Sequence, residues 1–219
     1  MLPKIIHLIW LGNDKSDLEK KCTLSVYKHC LDYQIIEWDE SNIDFSEFSE
    51  VSKREYDKFY SNGKYAFCSD IARMYILNKY GGIYVDSDVE FIKPMQDIII
   101  SSPCLCRCNP SQEIGNGYIW GCYRSDKLVS ACIRWFDEHS IKNNYYGKQW
   151  IINDLLNAYF SYFGYNIKDK CTQNVIGYIV LSSDYFCPIN YINKKLFITD
   201  NTIAIHHFKE SWRVSSGRM

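Results

Sequence analysis

The chain has 219 residues, 47% of them hydrophobic, and a formal net charge of -1. That length fits one domain with a full-sized core, and so small a net charge gives no global basic field to recruit nucleic acid. No apolar run approaches the roughly 20 residues needed to span a bilayer. The start, Met1 to Ile6, has too short an apolar run for an export leader and no small-residue cleavage site after it, so the expectation is a soluble, cytoplasmic protein.

In chain order, residues 4–11 (KIIHLIWL) form a near-continuous apolar run, as expected of a parallel strand covered on both faces. Residues 16–30 carry Leu18, Cys22, Val26 and Cys30 at helical spacing, and 33–38 read as a second strand. The polar stretch 49–61 reads as a surface helix. Residues 64–79 give the clearest helix, with Phe67, Ile71, Met74 and Leu77 on one stripe and Gly81-Gly82 as its stop. Strands are predicted at 83–86, 89–92 and near 100–106, and a turn-rich segment at 109–117. Helices are predicted at 126–138 and 148–163, and short strands at 176–181 and 202–207. Alternating strands and helices predict an α/β sandwich with a mostly parallel central sheet and helices on both faces.

Ten cysteines without an export signal read as reduced, mostly buried thiols. The Cys-x-x-Cys pairs of a zinc site are missing. Cys104, Cys106 and Cys108 alternate, so a strand would point all three to one face.

Three constellations carry chemistry. The first is Gly81-Gly82-Ile83-Tyr84-Val85-Asp86-Ser87-Asp88. An isolated Asp-x-Asp is most often a solvated turn. Here an apolar strand runs straight into the pair and exposes only its tip, where ligands of open α/β sheets bind. Two carboxylates there suit a hard divalent cation carrying a diphosphate. Asp88 is placed to bind the cation and Asp86 to reach a ribose or a metal-bound water. The second is Ser69-Asp70-Ile71-Ala72-Arg73, where Asp70 and Arg73 share a helix face opposite much of the apolar stripe. It reads either as an ordinary surface ion pair or as an acceptor of sugar hydroxyls beside a donor to phosphate. The third is Ile205-His206-His207-Phe208-Lys209-Glu210-Ser211-Trp212. Strand alternation sends the two histidines to opposite faces, and one reads either as completing a metal shell with Asp88 or as a core histidine bonded to a backbone carbonyl.

The combination of PKIIHLIW, AFCSDIARMYILNKYGGIYVDSDV and AIHHFKESW, in that order and over nearly the whole chain, resembles the DXD-containing glycosyltransferase family 32. That family includes yeast-type initiating mannosyltransferases and bacterial capsular and lipo-oligosaccharide enzymes. The catalytic core of the large glucosylating toxins is a more distant relative. The resemblance implies a GT-A fold over residues 1–219, with a nucleotide-sugar-binding part over about 1–122 and an acceptor-side and metal-loop part over about 123–219. It implies a UDP- or GDP-sugar donor, Mn²⁺ or Mg²⁺, and retention of configuration. Carried over by position, Trp10 lies against the base, Asp70 and Arg73 hold the donor sugar, and Asp86 touches ribose or sugar. Asp88 and His206 bind the cation. Ser211 and Trp212 close over the diphosphate, and Asn116 matches loosely a polar residue facing the sugar. His206 is preferred to His207 because relatives with one histidine keep the first.

Gly115, Gly117 and Gly121 miss the dinucleotide spacing by one residue and read as turn residues. The segment between the acidic pair and the last motif departs from the family, and acceptors bind there. By analogy the acceptor is a glycan or lipid-linked sugar, with peripheral membrane contact through exposed aromatic and basic side chains at the inner face. Two other readings fit parts of the sequence. Val85-Asp86-Ser87-Asp88-Val89 matches an aspartate-nucleophile phosphohydrolase signature, although such enzymes carry it on their first strand. A non-catalytic nucleotide- or carbohydrate-binding module would keep the same pocket without turnover.

Overall fold

The structure, a computed structural model, describes residues 1–95, 97–142 and 151–209. Its strands are β1 (Ile5–Ile9), β2 (Gln34–Trp38), β3 (Gly82–Tyr84), β4 (Val89–Phe91), β5 (Cys104–Arg107), β6 (Ile114–Cys122), β7 (Gln173–Val175), β8 (Tyr178–Leu181) and β9 (Ala204–His206). Its helices are α1 (Asp17–His29), α2 (Glu50–Ser61), α3 (Tyr65–Tyr80), α4 (Asp97–Ser101), α5 (Lys127–Lys142) and α6 (Ile151–Tyr162). Seven strands form one sheet in the order β2-β1-β3-β6-β5-β8-β7, and β4 pairs with β9 in a separate ribbon. In the large sheet β2, β1, β3, β5 and β8 run in one direction, while β6 and β7 run against them. The α/β sandwich with a mostly parallel sheet expected from the alternation of elements is the fold observed.

Period-two alternation divides the strand side chains between two cores. Tyr84, Leu105, Trp120 and Val180 face the core built with α2, α3, α5 and α6. Their neighbours Ile83, Val85, Cys104, Cys106, Ile119 and Leu181 face the opposite core, which Val26 and Cys30 of the α1 region close. Nine of the ten cysteines are buried and free; Cys171 alone is exposed. No helix among the described residues is long and apolar enough to cross a membrane.

The glycine pair sets the approach to the site. Gly81 ends α3 with φ of +64°, its N–H donating to Leu77 O at 2.8 Å, and Gly82 follows at +91°. A Cβ on Gly82 would stand 2.7 Å from the Ile5 carbonyl oxygen, so only glycine lets β3 close against β1. His7 locks the junction. Its Nε2–H donates to the Gly81 carbonyl at 2.8 Å and its Nδ1 accepts the Trp38 indole N–H at 3.1 Å. Burial lowers its pKa to about 4, so the ring is neutral at physiological pH.

Several expectations need correction. The turn-rich segment expected at 109–117 holds up to residue 113, but its last four residues enter the nine-residue strand β6, which contains Gly115, Gly117 and Gly121. Glycine is tolerated there because neighbouring side chains crowd each Cα: a Cβ on Gly121 would lie 2.8 Å from Leu2 and 2.9 Å from Cys104 Sγ. Residues 100 and 101 belong to α4, and the strand starts at Cys104. The strand expected over 176–181 starts only at Tyr178: Ile176 and Gly177, both at positive φ, form the turn that joins it to β7, a strand not expected. Helix α2 is not wholly superficial, since Ser52 and Tyr56 are buried. Helix α3 is covered nearly all round, so Arg73 is buried rather than on an open face.

Candidate active site

Beyond the C-terminal end of β3 the chain turns through Asp86-Ser87-Asp88 into β4. Ribbon pairing sets Val89 opposite His206 and so brings the last strand to the acidic turn. His206 Nε2 stands 3.1 Å from Asp88 Oδ1 and 3.7 Å from Asp86 Oδ2. One ligand atom from each of Asp86, Asp88 and His206 lies within 4.8 Å of the others. Two carboxylates and an imidazole make a donor set suited to a borderline-hard divalent cation. His206 Nδ1 is buried with no hydrogen-bond partner among the described residues, so the ring is held by its Nε2 side and by Tyr118 and Phe208, whose rings lie 4.9 and 4.3 Å from it. His207 points away, Nε2 lying 2.9 Å from Glu90 Oε2, and is not part of the cluster.

Arg73 forms the centre of the other half. Its guanidinium reaches Asp70 Oδ1 at 2.8 Å, Asp86 Oδ1 at 3.2 Å and Asn116 Oδ1 at 3.4 Å. It lies 4.3 Å over the Tyr84 ring. The Tyr84 hydroxyl donates to Asp86 Oδ1 at 2.7 Å. The structure therefore brings Asp70, Arg73, Asp86, Asp88, Asn116 and His206 into one cluster. Trp10 follows β1 at the same edge of the sheet, its indole N–H donating to the Asn13 carbonyl and its backbone N–H to Trp38 O at 2.9 Å. Ser211 and Trp212 lie outside the described residues.

The electrostatics follow from crowding. Burial opposes ionisation of Asp86 and Asp88. It is outweighed at Asp86 by Arg73 and His206, and at Asp88 chiefly by His206, so both carboxyls stay below the usual range. Asp70 goes the other way. Enclosure pushes it up to about 6, Arg73 opposing and Asp86 adding to the rise. A third of its side chain (34%) still reaches solvent, which leaves it open to a ligand. At His206 burial lowers the pKa, but Asp88 and Asp86 together raise it to about 10 while no cation competes.

Neighbours that the sequence reading did not single out complete the site. Tyr84 is two residues before Asp86 on a strand, so alternation alone would have put both on one face. Gly117, expected in a turn, lies in β6. Its carbonyl accepts the Asp86 N–H at 2.8 Å, and a Cβ there would stand 2.0 Å from Asp86 Oδ2. These contacts exist because β6 is irregular: Leu105 pairs with Trp120 but Cys106 with Gly115. Residues 116–119 thus leave the β5 ladder and swing toward the acidic turn. From α6, Asn153 Oδ1 accepts the Asn116 N–H at 2.9 Å, and Asn157 bonds both the N–H and the carbonyl of Ile114 at 2.8 Å. Lys209 closes the other side. Its backbone N–H donates to Asp88 Oδ2 at 2.9 Å and its ammonium reaches Ser16 at 2.6 Å and Glu19 at 2.5 Å. Lys209 lies inside the third motif, but no sequence pattern marks Asn153.

Residues 16–105 match the family model of the glycosyltransferase sugar-binding region containing the DXD motif. The match includes Asp70, Arg73, Asp86 and Asp88 and stops before Asn116 and His206. Among solved structures, the chain is similar to the PaToxG glycosyltransferase, with 19% identity, TM-score 0.61, and coverage of 76% of this chain and 73% of that one. It is also similar to a glycosyltransferase involved in glycosylation of the major capsid of PBCV-1, with 16% identity, TM-score 0.51, and coverage of 96% and 95%. At these identities the likeness shows the fold, which is that of GT-A-type glycosyltransferases. No curated protein matches in sequence. Family model and fold together support a DXD-containing glycosyltransferase.

Proposed function

We propose that this chain is a retaining, metal-dependent glycosyltransferase of the family-32 kind, moving a hexose from a UDP- or GDP-sugar to a glycan or lipid-linked acceptor. The observation that carries this reading is the Asp86–Asp88–His206 cluster standing beside the Arg73–Asp70 pair, at the strand ends of a chain that matches the DXD family model. Held by Asp88 and His206 with Asp86 alongside, Mn²⁺ or Mg²⁺ would supply positive charge for the donor diphosphate.

The chain's own groups do the rest. Asp70 accepts hydrogen bonds from hydroxyls of the donor sugar, and Arg73 and Asn116 orient its oxygens. Arg73 is preorganised by Asp70, Asp86 and the Tyr84 ring, so its charge meets the departing phosphate without costly reorganisation. Trp10 lies against the base, while Ser211 and Trp212 cover the diphosphate. With retention, the leaving phosphate itself takes the acceptor proton on the same face, so no carboxylate base is assigned. The part over about 1–122 binds the donor and the part over about 123–219 receives the acceptor. Surface polysaccharide or lipo-oligosaccharide synthesis at the inner face of the membrane is the setting this implies.

The phosphohydrolase reading needs Asp86 free to attack phosphorus. Its Oδ1 instead accepts from Tyr84 and Arg73, and its Oδ2 faces Gly117 and His206. The decisive experiment is a panel of UDP- and GDP-sugars with Mn²⁺, scoring nucleoside diphosphate release. Turnover of one donor, abolished by Asp88→Asn, supports the transferase. Donor binding without turnover on any acceptor would leave a binding module, and hydrolysis of generic phosphate esters alone would leave a phosphohydrolase.

A further inference from the structure

Residues 188–198 form a tight hairpin whose turn is fixed from inside. Ile189 bridges Leu196, the Asn190 N–H donates to Lys195 O at 2.9 Å, and the Lys194 N–H returns to Asn190 O at 2.8 Å. Asn190 Oδ1 accepts from the N–H groups of Ile192 and Asn193 at 3.0 and 3.2 Å. A loop so well bonded has a defined shape, yet its side chains are those of a core turned outward. Ile192 is 70% exposed, Phe197 58%, and Leu196 and Ile198 49% each. Lys194 and Lys195 stand exposed among them, and neither has an ion-pair partner among the described residues.

The turn of the hairpin touches the candidate site. The Tyr191 ring lies 5.9 Å from Phe208, whose ring lies 4.3 Å from His206. The Tyr191 N–H donates to Asn109 O at 3.1 Å, tying the turn to the body of the protein. The hairpin and the cation cluster are therefore joined through Tyr191 and Phe208.

We propose that this hairpin docks the protein on an anionic lipid bilayer. Ile192, Leu196, Phe197 and Ile198 enter the boundary between headgroups and acyl chains, and Lys194 and Lys195 sit among anionic headgroups. Exposed apolar side chains interleaved with ammonium groups that have no ion-pair partner among the described residues are, on a well-bonded hairpin, the pattern of interfacial insertion. The centre of a protein–protein interface is instead depleted of lysine. Docking this way holds the site against the membrane, within reach of a lipid-linked sugar. That last consequence rests on the transferase reading; the docking itself does not.

The test is co-sedimentation of the full chain with vesicles of phosphatidylcholine, with and without one third phosphatidylglycerol. Binding is expected to the anionic vesicles and to weaken with added salt, because exposed charges are screened over roughly 8 Å at physiological ionic strength. Two variants, I192S/F197S and K194E/K195E, should each lower the bound fraction at least about tenfold while unfolding at the wild-type temperature and releasing nucleoside diphosphate in solution at the wild-type rate. The proposal is overturned if the wild type ignores anionic vesicles or if either variant binds as the wild type does. It is equally overturned if I192S/F197S abolishes a self-association seen by ultracentrifugation while no vesicle binding occurs. A wild type that releases nucleoside diphosphate but ignores the vesicles removes the hairpin's role and leaves the transferase; one that docks but turns over no donor removes the transferase and leaves the docking.

Discussion

At the scale of single residues, the site is decided by which groups share charge. His206 carries a proton between Asp88 and Asp86 until its pKa of about 10 is reached, and a cation needs the same Nε2 lone pair. Binding near neutral pH must expel that proton. Mn²⁺ affinity should thus rise as pH rises toward 10, with about one proton released per ion; calorimetry in buffers of different ionisation enthalpy measures both. His206→Gln should weaken binding at least about tenfold and His207→Gln should not, since ligand loss outweighs second-sphere effects of roughly 10–100-fold. Asp70 follows the opposite sense. Enclosure raises it to about 6, so above that pH it accepts through both carboxylate oxygens, and below it one oxygen carries a proton and donates instead. Donor KM should climb as pH falls through about 6, and Asp70→Asn should give a high KM that no longer varies over this window. A wild-type KM flat from pH 5 to pH 7 would remove Asp70 from the donor site.

At the scale of elements, the informative feature is the break in β6. The sequence showed glycines and an asparagine at 115–117, and these were read as a turn because composition alone does not distinguish a turn from a bulged strand. What decides is the partner. Asn153 on α6 supplies a hydrogen bond to the Asn116 N–H where the backbone leaves β5, and Asn157, one turn on, holds Ile114 just before the break. Gly117→Ala should fold and yet lose most donor turnover, because its Cβ would displace the Asp86 carboxylate from 2.0 Å away. Asn153→Ala should raise donor KM several-fold through Asn116 with Mn²⁺ affinity unchanged. Asn153→Asp keeps an acceptor for the Asn116 N–H and should restore most of it. Equal KM for the alanine and aspartate variants would show that the tether does not matter. The DxD turn was legible at this scale, since Gly81-Gly82 announce the end of α3 and an apolar run announces β3.

At the scale of the whole molecule, residues far apart in sequence hold the site together. The Lys209 ammonium bonds Glu19 and Ser16 at the start of α1 while its backbone caps Asp88, and β9 pairs with β4. The Glu19 carboxylate is almost wholly buried, at 2% exposure, so removing its partner leaves a charge poorly solvated. Lys209→Met should lower the melting temperature by a few degrees, as about 1 kcal/mol shifts a protein of this size by roughly 2–4 °C. Glu19→Gln in the same background should recover part of the loss. If Lys209→Met melts as the wild type does, the clasp carries no stability.

The sequence by itself determined the periodic elements, the glycine stop before β3, the acidic pair at a strand tip and the opposed directions of His206 and His207. Each is a matter of local spacing, which the backbone's own periods of 3.6 and 2 translate into faces. Tertiary structure decided what those faces meet. It buried Arg73 between two aspartates, turned a glycine-rich stretch into the strand that supports Asp86, and set the core-like side chains of the 188–198 hairpin in solvent beside the cation cluster. None of these can be read along the chain, because each depends on contacts between residues that only the packed sheet and its ribbon bring within a few ångströms.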